Sequence, residues 1–139
     1  MLVLDTDVLS LVQNGDPVAP TLLARIAASG RVPYVTVVTL EEQFRGRLAD
    51  CARASTPDLY VAASRRLRTT FEGYIGRNLL DFDAQAAAEF ARLKQLKVRI
   101  GTMDLRIAAI VLASGATLIS RNLRDYEKVP GLNVEDWTA

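Results

Sequence analysis

The chain has 139 residues, half of them hydrophobic and about a quarter charged, and its formal net charge is +1. This composition is typical of a globular protein and excludes a disordered or fibrous chain, and the length favours a single domain over residues 1–139. The sequence has no histidine and one cysteine, Cys51. These counts exclude a histidine-based catalytic triad, an internal disulfide and a zinc site of cysteines and histidines, so that any catalysis depends on carboxylates.

The predicted elements alternate between strands and helices along the chain. In order, they are a strand at residues 2–4, helices at 8–14 and 20–29, a strand at 32–38, helices at 39–52 and 57–77, a strand at 79–82, helices at 83–96 and 101–113, a strand at 117–120, a helical turn after Asn122 and an edge strand at 132–134. This alternation predicts an α/β fold with a mostly parallel sheet that is covered by helices on both faces.

Polar side chains follow three of the predicted strands at the point where each strand ends. Asp5 follows the first strand, Glu42 lies one helical turn after the second, and Asn122 and Asp125 follow the strand at 117–120. In parallel sheets, ligands bind outside the carboxyl ends of the strands, so we expect these side chains to meet at one edge.

Asp104 is expected at the same edge, but it is carried by a helix and does not follow a strand. It lies in the first turn of a buried helix whose N-terminus is expected at this edge. Clustered oxygen donors of this kind suit Mg²⁺ or Mn²⁺, and the usual substrates of such sites are phosphate esters.

The same residues also have ordinary structural explanations. Asp5 or Asp7 is suited to capping the first helix, and Thr39 and Glu42 have the spacing of a capping box. A helix that starts with Thr102 as its cap stabilises a carboxylate in its first turn without any functional role. The shared position at the sheet edge nevertheless favours a functional site over a set of separate caps.

The segment between residues 45 and 68 is locally basic, with six arginines against two acidic residues. The whole chain has 14 arginines and 3 lysines, and the planar guanidinium suits two-point contacts with phosphate. Two interpretations remain open at this point: the arginines face a partner that carries phosphate, or they form a solvated helix surface.

Four stretches of the sequence resemble the PIN domain, in particular the VapC-type toxin ribonucleases of toxin–antitoxin pairs. They are LVLDTDVLS, VTLEEQFRG, GTMDLRIAAIVLASGATLIS and RNLRDYEKVPGLNVEDW. This resemblance implies an α/β/α sandwich and a metal-dependent endoribonuclease that acts on structured RNA such as tRNA or rRNA. It also implies a homodimer and a VapB-type antitoxin whose C-terminal tail occupies the active-site groove.

Carried over by position, the resemblance assigns the catalytic residues to Asp5, Glu42, Asp104 and Asn122. The last of these positions is often aspartate in the family, and the asparagine here offers a carbonyl oxygen in place of a charge. Asp125 compensates for that charge, so that Asp5, Asp104, Asn122 and Asp125 are the predicted ligands of Mg²⁺ or Mn²⁺. Water activated at this site is expected to leave a 5′-phosphate and a 3′-hydroxyl.

Further residues are assigned supporting roles. Thr6 and Ser120 flank the acids and are predicted to orient a carboxylate or a water molecule, although both are also ordinary residues for a strand end. Asp7, where the family commonly has asparagine, is interpreted as a helix cap. The predicted helices at 39–52 and 57–77 form a helical hairpin whose arginines are predicted to attract RNA through its phosphates. These arginines are Arg45, Arg47, Arg65, Arg66 and Arg68.

Two alternatives to an active ribonuclease remain. LVLDTDVL also fits a haloacid-dehalogenase-like phosphatase with Asp5 as nucleophile and Asp7 as acid and base, although that family's closing Gly-Asp-x-x-x-Asp arrangement is absent. Asn122 leaves open a PIN-fold module that binds RNA or protein without catalysis. The N-terminal MLVLDTD has no signal-peptide pattern, and no apolar run reaches the roughly 20 residues of a membrane span. We therefore expect a cytoplasmic protein with no membrane partner.

Overall fold

The computed structural model describes residues 1–139, and five strands form one sheet in the order β3-β2-β1-β4-β5. The strands are β1 (Leu2–Leu4), β2 (Pro33–Thr36), β3 (Leu79–Leu80), β4 (Thr117–Ile119) and β5 (Val134–Glu135). Each neighbouring pair is parallel. All five carboxyl ends therefore lie along the same edge of the sheet, as the alternating pattern predicted.

Seven helices connect and cover the strands. They are α1 (Thr6–Gln13), α2 (Ala19–Ser29), α3 (Val37–Arg53), α4 (Pro57–Tyr74), α5 (Ala84–Gln95), α6 (Thr102–Ser114) and α7 (Leu123–Tyr126). None of them combines the length and the apolar character needed to cross a membrane.

Alternate residues of the central strand β1 enter two separate hydrophobic cores. Val3 packs with α5 and α6 on one face, and Leu2 and Leu4 pack with α1 and α2 on the other. Successive side chains of a strand point to opposite faces, and both faces of this strand are covered. The predicted α/β/α sandwich is therefore confirmed.

The boundary between β2 and α3 differs from the prediction. The strand expected over residues 32–38 ends at Thr36, and the β-branched Val37 and Val38 already belong to α3. Thr36 is the N-cap, and its hydroxyl oxygen accepts a hydrogen bond from the backbone N–H of Thr39 at 3.1 Å. The predicted Thr39–Glu42 capping box is therefore wrong, and the side chain of Glu42 is not needed to cap the helix.

Two further capping predictions are wrong. Helix α1 begins at Thr6 rather than at residue 8, and although Asp5 immediately precedes it, no side chain caps this helix. Helix α6 has Gly101 at its N-cap, so that Thr102 is its first helical residue and not its cap. Asp104 does lie in the first turn of α6, as predicted.

Candidate active site

Three predicted acids, Asp5, Glu42 and Asp104, come together at the carboxyl edge of the sheet. Asp5 directly follows β1, and its backbone N–H donates to the carbonyl of Ile119 at 2.9 Å, which fixes it against the end of β4. Glu42 and Asp104 arrive on α3 and α6. The negative charge of Asp104 raises the pKa of both Asp5 and Glu42, so residues from three separate elements form one cluster.

Asp5 is held by two buried hydroxyls, one on each carboxylate oxygen. Ser120 donates to Oδ2 at 2.8 Å, and Tyr126 donates to Oδ1 at 3.1 Å. The hydroxyl of Ser120 accepts the backbone N–H of Asn122 at 2.9 Å, which leaves its proton directed at Asp5. The structure thus places Ser120 where it orients a carboxylate, in line with the role predicted for it.

Glu42 is oriented by the other predicted supporting residue. The hydroxyl of Thr6 donates to Glu42 Oε1 at 3.1 Å. The Thr39 hydroxyl lies 3.0 Å from that of Thr6, and because Thr6 has one proton and gives it to Glu42, Thr39 is the donor between them. A chain of hydroxyls therefore links the start of α3 to Glu42.

Tyr126 is a residue that the sequence interpretation missed. Its side chain is fully buried, and its hydroxyl lies 3.1 Å from Asp5 Oδ1 and 3.3 Å from Asp104 Oδ1. The hydroxyl therefore connects the carboxylates of β1 and α6. The sequence carries only a weak signal for this residue, since a tyrosine directly after Asp125 has no spacing or motif that distinguishes it from an ordinary core residue.

Burial dominates the electrostatics of this cluster. It raises the pKa of Asp5 from 3.8 to about 7, against the lowering effect of the Ser120 hydrogen bond. Burial also raises the pKa of Glu42 and of Asp104 above their usual ranges. None of these three carboxylates forms an ion pair, because the salt bridges of the protein all lie elsewhere. The cluster therefore holds its carboxylates together with no salt bridge to a basic side chain, and the charge of Arg45 lowers the pKa of Glu42.

Asp7 does not cap its helix, so the interpretation of this residue was wrong. One of its oxygens, Oδ2, accepts the backbone N–H of Arg121 at 3.2 Å, and the other is buried without a hydrogen-bond partner. Burial raises its pKa as well, and its charge raises the pKa of Asp5. Asp7 thus adds a further carboxylate to this edge, and the charge of Arg121 lowers its pKa.

Asn122 and Asp125 contact each other near the acids. The side-chain amide of Asn122 donates to Asp125 Oδ2 at 3.2 Å, and Lys128 lies 3.6 Å from the other oxygen of Asp125. The negative charge of Asp125 raises the pKa of Asp104, so Asp125 lies within electrostatic range of that carboxylate.

The donor chemistry of this edge fits a hard divalent cation. Carboxylate and amide oxygens are the ligands that Mg²⁺ and Mn²⁺ prefer, and the buried carboxylates have no other cation to balance them. The side chains as they lie do not form a closed set, since no three acidic, histidine or cysteine side chains are grouped as metal ligands. The predicted ligands therefore gather at one edge of the sheet without forming a complete ligand set.

A polar groove of about 740 Å³ extends from Thr6 and Glu42 along α3 and α4, and no hydrophobic residue lines it. Three arginines face this groove, namely Arg47, Arg66 and Arg77. Arg77 was not among the predicted RNA-binding residues, because these came from the basic segment between residues 45 and 68. In the structure it lies just beyond the end of α4.

The other predicted arginines do not line the groove. Arg45 is paired with Glu41, and Arg68 is paired with Glu72 at 2.7 Å on the exposed surface of α4. Arg65 is exposed, and it too lies outside the lining. The hairpin therefore turns only some of its arginines toward the acids.

Comparison with known proteins gives a consistent picture. A sequence model of the PIN domain matches residues 2–132. Ribonuclease VapC2 of Haemophilus influenzae is 29% identical over 96% of this chain and 96% of its own length. The tRNA(fMet)-specific endonuclease VapC of Salmonella typhimurium is 35% identical over 54% of this chain, and the match spans 61% of that relative.

Solved structures resemble the whole chain. A crystal structure of DNA-bound VapBC from Salmonella typhimurium has a TM-score of 0.74 and 27% identity, covering 98% of this chain and 97% of the other. VapBC-1 from nontypeable Haemophilus influenzae also has a TM-score of 0.74, at 23% identity, with 99% and 98% of the two chains covered. At that identity, the second likeness supports the fold alone.

Proposed function

Because the chain belongs to the PIN domain family, we propose that it is a metal-dependent endoribonuclease and the toxin of a toxin–antitoxin pair. The observation that carries this proposal is the cluster of Asp5, Glu42 and Asp104, which forms no salt bridge and whose Glu42 lines a groove that three arginines also line. Such a site attracts both a divalent cation and a phosphate backbone. Ribonuclease activity in the names of two relatives supports the same conclusion.

Asp5, Asp104 and Asn122 would hold a Mg²⁺ or Mn²⁺ ion, with Asp125 as a further donor. When bound, the ion would neutralise charge on the scissile phosphate and lower the pKa of a water molecule. Glu42 is the candidate for accepting the proton of that water. Thr6 occupies Oε1 of Glu42, which leaves Oε2 without a protein donor, and the raised pKa of Glu42 makes it a stronger base than an exposed glutamate.

Hydrolysis at this site breaks the bond between phosphorus and the 3′ oxygen. The water oxygen attacks phosphorus, its proton passes to Glu42, and the departing 3′ oxygen takes a proton from solvent. The products carry a 5′-phosphate and a 3′-hydroxyl. Neither a histidine nor the 2′-hydroxyl of the RNA is needed as a participant, which agrees with a chain that has no histidine.

The groove is the proposed path of the RNA strand. Arg47, Arg66 and Arg77 are suited to phosphate contacts, and the lining contains no aromatic side chain on which a base would stack. Binding through the backbone then selects RNA by the shape of its exposed segments. Structured RNA such as tRNA or rRNA is the proposed substrate, as the tRNA specificity in the name of the Salmonella relative suggests, and a cytoplasmic location follows from that substrate.

A VapB-type antitoxin and a second copy of the chain are the proposed protein partners. The VapBC complexes among the similar structures support the first. Several large hydrophobic side chains on and beside the helical hairpin are more than half exposed, which is typical of a surface that a partner covers. They are Leu48, Leu59, Tyr60, Phe71 and Ile75.

Family membership argues against the phosphatase alternative, and Asp5 itself is a poor nucleophile for that chemistry because it is buried with both oxygens hydrogen-bonded. The inactive binding module remains the alternative to test. It differs from the ribonuclease in one measurable respect, which is cleavage that depends on a divalent ion.

The experiment treats total cellular RNA with metal-stripped protein, with and without Mg²⁺ or Mn²⁺, and maps the new ends. We expect cuts with 5′-phosphate ends only when an ion is present. Asp104→Asn should abolish them, because it removes one of the charges that hold the ion. Asp58→Asn is the matched control, since it removes an exposed aspartate at the start of α4, away from the cluster.

Loss of cutting in Asp104→Asn but not in Asp58→Asn would also exclude a contaminating ribonuclease. If the wild-type protein binds RNA but cuts none with either ion, the binding module is the correct interpretation.

A further inference from the structure

Tyr126 occupies a special position beneath the acids. It is fully buried at the end of α7, and its hydroxyl is within hydrogen-bond distance of both Asp5 Oδ1 and Asp104 Oδ1, at 3.1 Å and 3.3 Å. A phenol has one proton, so it cannot donate fully to two carboxylates at once. The hydroxyl is therefore shared, and both carboxylates turn one oxygen toward the same point.

The position of that hydroxyl is fixed by the core. The Tyr126 ring belongs to the hydrophobic cluster that also contains Leu105, Ala108 and Val129. Its backbone N–H donates to the carbonyl of Asn122 at 3.3 Å, and its own carbonyl accepts from Val129 at 3.0 Å. The hydroxyl is thus a rigid point rather than the end of a mobile side chain.

Core packing alone does not explain a hydroxyl at this position. A phenylalanine would fill the same space, and a buried hydroxyl is unfavourable unless it finds a partner. The partners it has are two carboxylates from different elements, which repel each other when both are ionised. The contact with these two carboxylates is therefore the structural reason for a hydroxyl at this position.

We propose that Tyr126 is a positioning residue that holds Asp5 and Asp104 in the arrangement that binds the divalent cation. This inference rests on the proposed function, because it assigns the two acids to a metal site. Groups that orient metal ligands commonly change metal affinity by about 10-fold to 100-fold when they are removed. Tyr126 does not reach the groove, since it is fully buried and absent from the lining.

The test compares Tyr126→Phe with the wild-type protein by calorimetric titration of Mn²⁺ into metal-stripped protein. We expect affinity to fall by about 10-fold or more, kcat for RNA cleavage to fall, and KM for RNA to stay unchanged. Tyr74→Phe is the matched control. Tyr74 is also a buried tyrosine, but its hydroxyl donates to Gln43 at 2.7 Å and not to an acid, so its loss should leave Mn²⁺ affinity unchanged.

Circular dichroism and thermal melting verify that each variant is folded. If phenylalanine at this position prevented folding, Tyr126→Met would replace it, because a flexible methionine fills irregular core space without a hydroxyl. Equal Mn²⁺ affinity in the folded variant and the wild type would overturn the proposal for Tyr126 while leaving the ribonuclease intact. A wild-type protein that neither binds Mn²⁺ nor cuts RNA would overturn both.

Discussion

Hydroxyl groups, rather than basic side chains, organise the acids of this site. Ser120 and Tyr126 contact Asp5, and Thr6 contacts Glu42. A neutral donor orients a carboxylate without cancelling its charge, whereas an arginine in the same place would compete with a cation for it. The hydrogen bonds from Ser120 and Thr6 lower the pKa of Asp5 and Glu42, but burial outweighs them and raises the pKa of both acids.

Asn122 offers a direct test of which residues reach the ion. Asn122→Asp adds a negative charge beside Asp104, so we expect tighter Mn²⁺ binding if position 122 is a ligand. The same change replaces the hydrogen bond to Asp125 by a repulsion between two carboxylates, so the melting temperature of the ion-free protein should fall. Calorimetric titration and thermal melting measure these two effects.

Asp125→Asn is the complementary variant in the same Mn²⁺ titration. It removes the negative charge at position 125, while the new amide can keep a hydrogen bond with Asn122. Weaker Mn²⁺ binding in this variant would identify Asp125 as a donor to the ion. Unchanged affinity in Asn122→Asp would remove position 122 from the predicted ligand set.

Among the elements, α3 shows what the sequence could predict and what it could not. Its existence, its arginines and the approximate position of Glu42 followed from the sequence, but its first residues did not. Val37 and Val38 have the β-branched side chains of a strand, and they are helical because Thr36 caps the helix and Val38 packs in the core. Capping and core contacts outweighed the strand propensity of these two valines. Because the helix starts earlier than predicted, the capping-box interpretation of Glu42 was also wrong.

The helical hairpin of α3 and α4 separates arginines that look equivalent in the sequence. Arg66 lines the groove, and Arg68 lies on the exposed surface paired with Glu72. We expect Arg66→Ala to raise KM for RNA and to reduce the slope of log binding constant against log salt by about 0.7 to 1, because one phosphate contact is lost. Arg68→Ala should leave both quantities nearly unchanged.

Fluorescence anisotropy with a labelled RNA at several salt concentrations measures the slope, and steady-state cleavage measures KM. Equal losses in the two variants would mean that the hairpin attracts RNA through its overall charge and that the groove is not the path of the strand.

At the scale of the whole molecule, the parallel sheet made the site predictable. Asp5 and Ser120 are separated by 115 positions in the sequence and meet because β1 and β4 are neighbours. The sheet-edge rule anticipates such meetings from strand order alone. It does not predict the role of Tyr126. The contact of this residue with both acids depends on how the short helix α7 packs against α6 and the sheet, and no local sequence pattern predicts that packing.

The charge of the cluster also makes the stability of the whole protein depend on pH and on the ion. Burial raises the pKa of Asp5 from 3.8 to about 7, so the folded ion-free protein keeps a proton that the unfolded chain releases. The associated stability is fully present below about pH 4 and is lost as the pH rises through about 7. A single shift of this size corresponds to roughly 4 kcal/mol in the free energy of unfolding.

A bound divalent cation should reverse this trend, because it binds the ionised carboxylates and competes with their protons. Urea unfolding between about pH 5 and about pH 8, in EDTA and in excess Mn²⁺, measures the two slopes. We expect the free energy of unfolding to fall with rising pH in EDTA, whereas the stabilisation that Mn²⁺ adds should grow over the same range. Asp5→Asn should make the EDTA series less steep, since its amide does not titrate, and the remaining slope comes from the other acids whose pKa burial raises. An EDTA series that is already flat in the wild type would show that Asp5 is ionised in the folded protein without a metal, and that some other group balances its charge.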